Sequence, residues 1–597
     1  MTTYTPPAAE IAFVINRLIG LESLAALPGY ESVNAELLDA VIEEAGKVAS
    51  EVFAPLNTVG DKQGVRFQDG AVTMPPGFKE AYKAHVDGGW NAVPIDSEQG
   101  GQGLPWLFSM AVQEMWQSAN AAFTLITLLN QGATELLLTH GSESLKAKYL
   151  PNLVSGTWGG TMNITEPQAG SDVGAIASKA VPEGDRYRVY GQKIFISYGD
   201  HDLTDNIIHF VLARLPGAPE GTRGLSLFLV PKILVNDDGS LGAPNDVRVV
   251  SVEHKMGQHV SPTCVMAFGD KDGALGWLVG AEHGGIAAMF TMMNNARVGV
   301  GVQALGLMER SRQNAVDYAR TRIQSRDILK PKEPPVPIIR HPDVRRMLMA
   351  VRSATEAARA LAYSCAACID FAKRSPDPAA REAAKAREEL LTPLVKAWIT
   401  DFGSETTSVA LQVCGGMGYV QETGMAQHVC DGRVLSIYEG ANGIHAGDLV
   451  FRKIVRDQGA ALRALLAEAD EVLAAIAKDS SPAFKALHRH LGDSVVYLRA
   501  STAWILQNAK EHVADVAAIA TPFLRLAGNT VAGFYLIKSA WIAQSDLAAG
   551  QGDPAFLTAK IATAHFYAEH VLPLNAGLAM IVTEGAGSVR ALPEEGF

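Results

Sequence analysis

The sequence predicts a multidomain, mainly α-helical protein with a β domain at its centre. Three features carry that reading. At 597 residues the chain is too long for one ordinary core. Apolar residues recur at three- and four-residue spacing before about residue 160 and again from Gly284 onward. Between these stretches, from Gly159-Gly160-Thr161 to about Gly280, the pattern alternates and is rich in β-branched residues, as strands require. The expected domains are residues 1–160, helical; 161–280, a small barrel or sandwich; 281–460, a helical domain; and 461–597, an additional helical domain.

Composition narrows the function classes. Hydrophobic residues at 48% and charged residues at 19% describe a globular protein with a large buried fraction. A net charge of −12 argues against nonspecific nucleic-acid binding, which needs a basic face. No apolar run is expected to reach membrane-spanning length, and the stretch up to Glu10 lacks the basic-then-apolar profile of a signal peptide. Five cysteines at irregular spacing fit a reducing compartment, so a cytoplasmic location is expected. Cys365 and Cys368 form a C-x-x-C inside the Ala-rich run Ser353–Lys373. No second pair or His cluster completes a metal site, so core packing and no metal are expected there.

In the first domain, Ala9–Leu27, Ala35–Ala54, Pro76–Gly88, Trp106–Ser118, Ala121–His140 and Leu145–Leu153 read as helices. The loop Gly100-Gly101-Gln102-Gly103-Leu104-Pro105 permits close backbone approach, but no Gly-Lys-Ser/Thr follows and it is no P-loop. In the β domain, Arg186–Tyr190, Lys193–Ser197, Ile207–Ala213, Ser226–Val230, Val247–Val252 and Thr263–Phe268 read as strands. Arg297 then opens the helix Val298–Arg320. Its Gly299, Gly301 and Gly306 miss the dinucleotide-binding spacing, follow no strand, and read as close helix packing. Leu465–Lys478, Pro482–Asn508, His512–Leu526, Thr530–Ala549 and Pro554–His570 form the last domain, with Asp479-Ser480-Ser481-Pro482 as a linker element.

Two stretches offer chemistry. Ser436-Ile437-Tyr438-Glu439-Gly440-Ala441-Asn442-Gly443-Ile444 sets a carboxylate in a tight bend between helical segments. In an apolar pocket such a carboxylate can act as a general base; taken alone, the nine residues better describe a solvated loop glutamate. Met162-Asn163-Ile164-Thr165-Glu166-Pro167-Gln168-Ala169-Gly170-Ser171-Asp172 offers hydroxyls and backbone N–H groups beside a strand, suited to a polar heterocycle or a diphosphate, or simply to a capped turn.

As an ordered string, the second stretch closely resembles the flavin-binding signature of acyl-CoA dehydrogenases. Gly191-Gln192-Lys193-Ile194-Phe195-Ile196-Ser197 is similar to that family's second flavin strand, with Phe195 where tryptophan is usual and Ser197 where threonine is usual. Arg322-Ile323-Gln324 matches the arginine sent to a flavin phosphate. The usual Phe-Gly then becomes Ser325-Arg326, and an insertion, Leu329–Pro337, follows. Gln412-Val413-Cys414-Gly415-Gly416 looks like the glycine turn that touches the adenylate half of a neighbouring subunit's flavin. Asp431 to Glu439 resembles the segment ending in the catalytic glutamate, with Ala441 and His445 where threonine and glutamine are common. Gly443 and Asp448-Leu449-Val450 look more like the long bacterial type, the methylmercaptopropionyl-CoA dehydrogenases among them.

The resemblance covers roughly residues 35–455, and the remaining chain resembles the extra C-terminal helical domain of the long type. It implies a helical domain, a β-barrel, a four-helix bundle and that extra domain, with FAD as cofactor. Flavin contacts then fall to Met162, Ile164, Thr165, Gly170, Ser171, Phe195, Ser197, Arg322, Gln412, Gly415, Gly416 and Gly443. Acyl-CoA contacts fall to Ser171, Asn294, Arg297 and Gly440, with Asn294 standing where the family has an aspartate; Ala121–Gln131 would help line the acyl cavity. Glu439 removes the α-proton as hydride passes to flavin N5, giving a trans-2-enoyl-CoA. Electrons go to an electron-transferring flavoprotein, within fatty-acid β-oxidation. Two alternatives share the fold: an oxygen-using acyl-CoA oxidase and a DNA-associated flavoprotein. The latter needs a basic tail, whereas residues 465–597 hold nine Lys/Arg against thirteen Asp/Glu. If the extra domain covers the surface through which shorter members form tetramers, a homodimer is expected.

Overall fold

The computed structural model describes residues 3–597. It divides into two compact units. One holds the chain up to Glu43, Met110–Ser118 and Val300–Phe597; the other holds Glu44–Ser109 and Ala119–Gly299. The fold is mainly α with a small central barrel, as expected.

The barrel belongs to the second unit. Its strands are β1 (Trp158–Asn163), β2 (Lys179–Glu183), β3 (Arg186–Ser197), β4 (Asn206–Arg214), β5 (Leu225–Pro231), β6 (Val247–Val252), β7 (Thr263–Phe268) and β8 (Ala274–Val279). They pair in the order β6-β7-β3-β8-β5-β4-β1, and β2 bridges β3 and β4, which closes the ring. β1 runs parallel to β4, from Trp158 opposite Asn206 to Asn163 opposite Val211. Val189, Ile196, Val211, Phe228, Val230, Met266 and Phe268 fill the interior, so the alternating apolar residues read from the sequence are those that the barrel buries.

Several expected elements merge. Arg186–Tyr190 and Lys193–Ser197 are one strand, β3, carried through Gly191 at φ 146, where an added Cβ would lie 2.2 Å from Ser178 Oγ. Trp106–Ser118 and Ala121–His140 are one helix, Trp106–His140, interrupted only at Asn120 (φ −159, ψ 81). That helix corrects a second expectation: by length and composition it could cross a membrane, because its apolar run tolerates Gln113, Glu114 and Gln117. Yet 89% of its apolar stretch is buried within the protein, as in a core helix. Arg297 does not open a helix. It lies well inside Gly285–Thr321, because Ala288, Met289, Met292 and Ala296 already bury one helical face before it.

In the first unit the bundle consists of Val300–Thr321 with Pro342–Arg374, Pro378–Pro393 and Ile399–Val413. Gly306 sits where an added Cβ would meet the Ser118 backbone nitrogen at 2.7 Å, so that glycine marks close helix packing as read. Cys365 is buried, and no metal-holding group of His, Cys, Asp or Glu occurs among the described residues.

The additional domain uses Ala460–Ile476, Pro482–Asn508, Ala520–Ala548, Pro554–His570 and Leu574–Glu584. Pro482–Asn508 and Pro554–His570 match their expected bounds. Ser481 and Asp553 cap them by accepting from the Phe484 and Ala555 amides, and a proline starts each. His512–Leu526 and Thr530–Ala549 instead become Val513–Ala518 and Ala520–Ala548. The helix continues through Gly528-Asn529 because both pack on the bundle: Trp398 Nε1 donates to Asn529 Oδ1 at 2.9 Å, and a Cβ at Gly528 would lie 2.2 Å from Trp398 Cδ1. Lys560, 1% exposed, donates to Glu356 at 2.9 Å and to Glu10 at 2.8 Å, tying this domain to its own chain. Beside them Arg359 pairs with Glu114 at 2.5 Å and Glu309 at 3.1 Å. Buried charges persist only when paired like this.

Candidate active site

In the barrel unit the expected flavin loop and flavin strand are brought together by a buried ion pair. Lys193 Nζ, on β3, donates to Glu166 Oε1 at 2.7 Å and to the Ile164 carbonyl at 3.0 Å. Glu166 also accepts from the Ala177 amide at 2.8 Å and the Ser178 hydroxyl at 2.5 Å, while the Ile194 amide donates to the Thr165 carbonyl at 2.9 Å. Burial would raise the Glu166 carboxyl, but Lys193 and the other donors outweigh it and hold it at about 2. Burial brings the Lys193 ammonium down to about 8 against the pull of Glu166. Both remain charged near neutrality. Sequence reading missed this pair, since 27 residues separate its members.

The same pairing fixes Phe195. Cys264 on β7 lies opposite Ile196, and Met266 lies opposite Lys193, so Val265 faces two residues and β3 bulges at Ile194-Phe195. Phe195 takes φ 60 there, a genuine outlier for a bulky side chain. Bulges re-aim side chains: Ile196 is 2% exposed and Phe195 59%. Ser197 is half-buried beyond it, as are Met162 on β1 and Ile164 and Thr165 in the loop that follows, where Gly170 and Ser171 are exposed. Asn294 and Arg297 share one helix face at i,i+3 spacing, and the Arg297 guanidinium lies 5.6 Å from the Phe290 ring centre. Ala121–Gln131 is buried throughout.

In the bundle unit, Glu439 stands at the expected bend. It is half-buried, at φ 56, and Gly440 follows at φ 89; the helix Asn442–Gly447 starts two residues on. A left-handed glutamate costs roughly 1–2 kcal/mol, which the surroundings must offset. The turn is held at each residue. Tyr438 Oη donates to Gln303 Oε1, His445 Nε2 pairs with the Glu439 carbonyl at 3.0 Å, and Lys396 Nζ donates to the Gly440 carbonyl at 2.8 Å. Among the described residues, eight non-glycine residues have positive φ, and two of them are Phe195 and Glu439. Such outliers cluster at functional sites. Lys396 escaped sequence reading, although a lone cation inside Leu394-Val395-Lys396-Ala397-Trp398 is a legible sign of a buried, bonded charge. His445 stands where glutamine is common in the family pattern, and its bond to the Glu439 carbonyl carries no local sequence signal.

Arg322 is exposed; its carbonyl accepts from the Ile338 amide at 2.8 Å, and Ile323 bridges Pro337, which closes the insertion into a loop. Gln412, Gly415 and Gly416 are exposed at the end of Ile399–Val413, with Gly415 at φ 57. Added Cβ atoms at Gly170, Gly415, Gly416 and Gly443 would meet nothing within 4 Å. Within the barrel unit, the open Gly170 backbone and the exposed Phe195 ring suit a planar cofactor with a diphosphate.

Family models match in chain order: the acyl-CoA dehydrogenase N-terminal domain over residues 38–157, its middle domain over 161–270 and its C-terminal domain over 283–453. An acetyl-CoA dehydrogenase C-terminal-like domain matches 463–593. The 3-methylmercaptopropionyl-CoA dehydrogenase of Ruegeria pomeroyi is 44% identical over 96% of each chain, and a butyryl-CoA dehydrogenase of Syntrophomonas wolfei is 35% identical over 98% of each. Among solved structures, Caenorhabditis elegans ACDH-11 in complex with C11-CoA superposes with a TM-score of 0.78 at 19% identity, over 96% of this chain and 92% of that one. An acyl-CoA dehydrogenase from Bacillus anthracis complexed with FAD gives 0.75 at 18%, over 96% and 91%. These two likenesses speak for the fold. Fold and motifs together define a flavin-dependent oxidoreductase. The chain belongs to the acyl-CoA dehydrogenase family, in its long form with the additional C-terminal domain.

Proposed function

We propose that this enzyme introduces a trans double bond between the α and β carbons of an acyl-CoA thioester, with Glu439 as the base that takes the α-proton. The observation that carries the reading is the half-buried glutamate held at φ 56 between Tyr438 and Gly440. FAD is the cofactor and, when bound, supplies the two-electron oxidation. Met162, Ile164, Thr165, Gly170, Ser171, Phe195 and Ser197 would hold it from the barrel unit. Arg322, Gln412, Gly415, Gly416 and Gly443 would hold it from the bundle unit, the glycine turn acting on a second subunit's flavin.

A thioester α-C–H is a weak acid, so the base needs help. The Glu439 backbone N–H donates to the thioester carbonyl and stabilises the developing enolate, which is oxyanion-hole logic. Asn294 and Arg297 grip the coenzyme A moiety, far from the reacting carbons, with Ser171 and Gly440 as further substrate contacts. The enzyme works in the cytoplasm, in fatty-acid β-oxidation, and its electrons leave to an electron-transferring flavoprotein. The acyl group is tested with a thioester panel drawn from the relatives: 3-methylmercaptopropionyl-CoA, butyryl-CoA and longer linear chains. Dye reduction under anaerobic conditions is the expected result with at least one of them. No reduction of bound flavin by any acyl-CoA contradicts the reading, and stoichiometric peroxide in air would mark an oxidase.

A further inference from the structure

We propose that Lys396 is a positioning residue for the Glu439 carboxylate, acting through the Gly440 carbonyl; the inference rests on Glu439 being the base. Lys396 is fully buried, between Leu394, Val395, Ala397 and Trp398, all fully buried too. It lies in a π-helical turn, Leu394–Trp398, immediately after Pro393. Proline withholds a backbone donor and breaks the regular α ladder, so the turn widens there and re-aims its side chains. Lys396 Nζ reaches the Gly440 carbonyl at 2.8 Å and Asn442 Oδ1 at 2.8 Å. Asn442 is itself fixed, donating to Thr400 Oγ1 at 2.9 Å and Asp401 Oδ1 at 2.7 Å. The helix Asn442–Gly447 and the carbonyl before it are therefore bolted to the bundle by one buried cation.

A cation inside an apolar helix face costs stability compared with a well-packed aliphatic side chain. What it secures here is geometry. The Glu439 and Gly440 peptides follow two successive left-handed residues, at φ 56 and φ 89. Their carbonyls are pinned by His445 and by Lys396 respectively. Releasing the Gly440 carbonyl frees the glycine, the most permissive residue, to rotate and carry the carboxylate off its line to the α-carbon.

The test uses FAD-loaded K396M, which keeps the stem and removes charge and donors, beside the parent and E439Q. On one preparation, bound flavin, the unfolding midpoint, kcat, KM for acyl-CoA and the isotope effect on kcat with α,α-dideuterated acyl-CoA are measured. The expected result is retained flavin, kcat lower by about tenfold to a hundredfold, a smaller change in KM, and a larger α-deuterium isotope effect, because displacement of the base slows proton abstraction selectively. An unchanged kcat per bound flavin, or a lowered kcat with an unchanged isotope effect, overturns the proposal. K396Q, which keeps one donor, should fall between parent and K396M, and it decides by the same criteria if K396M does not hold flavin. Loss of folded, flavin-loaded protein in both variants would assign Lys396 to the core alone and also overturn it. If E439Q turns over like the parent, the base assignment fails instead. If E439Q is inactive while K396M behaves as the parent, only the role of Lys396 fails.

Discussion

Lys193 Nζ sits 2.7 Å from Glu166 Oε1, and the two side chains are 0% and 4% exposed. One residue comes from the loop after β1 and the other from β3, two residues before the bulged Phe195. The pair is thus the mechanical link between the two stretches that would face the cofactor.

K193M should leave Glu166 buried without its cation, a change that costs about 3–5 kcal/mol when a buried ion pair loses one member. The expected outcome is a lower unfolding midpoint and flavin lost on gel filtration, with partial recovery in K193M/E166Q, because the two residues share one interaction. Parent-like flavin retention in K193M would contradict the link.

The same pair sets an acid limit. The Glu166 carboxyl is held at about 2, below its ordinary value of 4.5, so its stabilisation is present above about 4.5 and is lost as pH falls toward 2. Lys193 is protonated throughout that window, folded or unfolded, and adds no slope. Stability measured against pH should therefore drop between about 4.5 and 2 in the parent and drop less in K193M/E166Q.

Arg297 should hold part of the coenzyme A moiety. R297A should raise KM by about tenfold or more, since hydrogen bonds to charged groups contribute about 1.5–3 kcal/mol. The turnover number should change less, because binding far from the reacting carbons is largely uniform. Unchanged KM would leave Arg297 as a half-buried structural charge beside Phe290.

How much of this was legible follows from which residues carried a local signal. Val247–Val252 and Thr263–Phe268 were read to the residue, as short runs holding β-branched residues between turn signals. β2 was missed because Lys179, Pro182 and Glu183 hide its only fully buried member, Ala180. Helical character was expected from Gly284 onward, but the helix itself was placed only from Val298, since no Ser, Thr, Asp or Asn stands just before Gly285 to announce its start. Glu439, Phe195 and Ser197 lie in ordered strings that resemble family motifs, and the roles proposed for them come from that resemblance. The Glu166–Lys193 pair, the Lys396 tether and the Trp398–Asn529 contact are long-range and were set by tertiary packing alone.

The additional domain should limit assembly. Lys560, Asn529 and Gly528 attach it to Glu356, Glu10 and Trp398 of its own chain. If it covers the surface that shorter members use to pair dimers, light scattering on the flavin-loaded protein should give twice the 63.5 kDa chain mass. A tetramer at micromolar concentration would show that the surface is open, and a stable monomer would undo the shared-flavin argument.

The central claim is that Glu439 is the base, and E439Q tests it most directly. The amide is nearly isosteric, so the protein should remain yellow and bind acyl-CoA. On anaerobic mixing with a thioester that the parent oxidises, reduction of the bound flavin in a single turnover should be slower by at least about a hundredfold, the low end of general-base contributions. Flavin reduction in E439Q at close to the parent rate would place the base elsewhere and contradict the account.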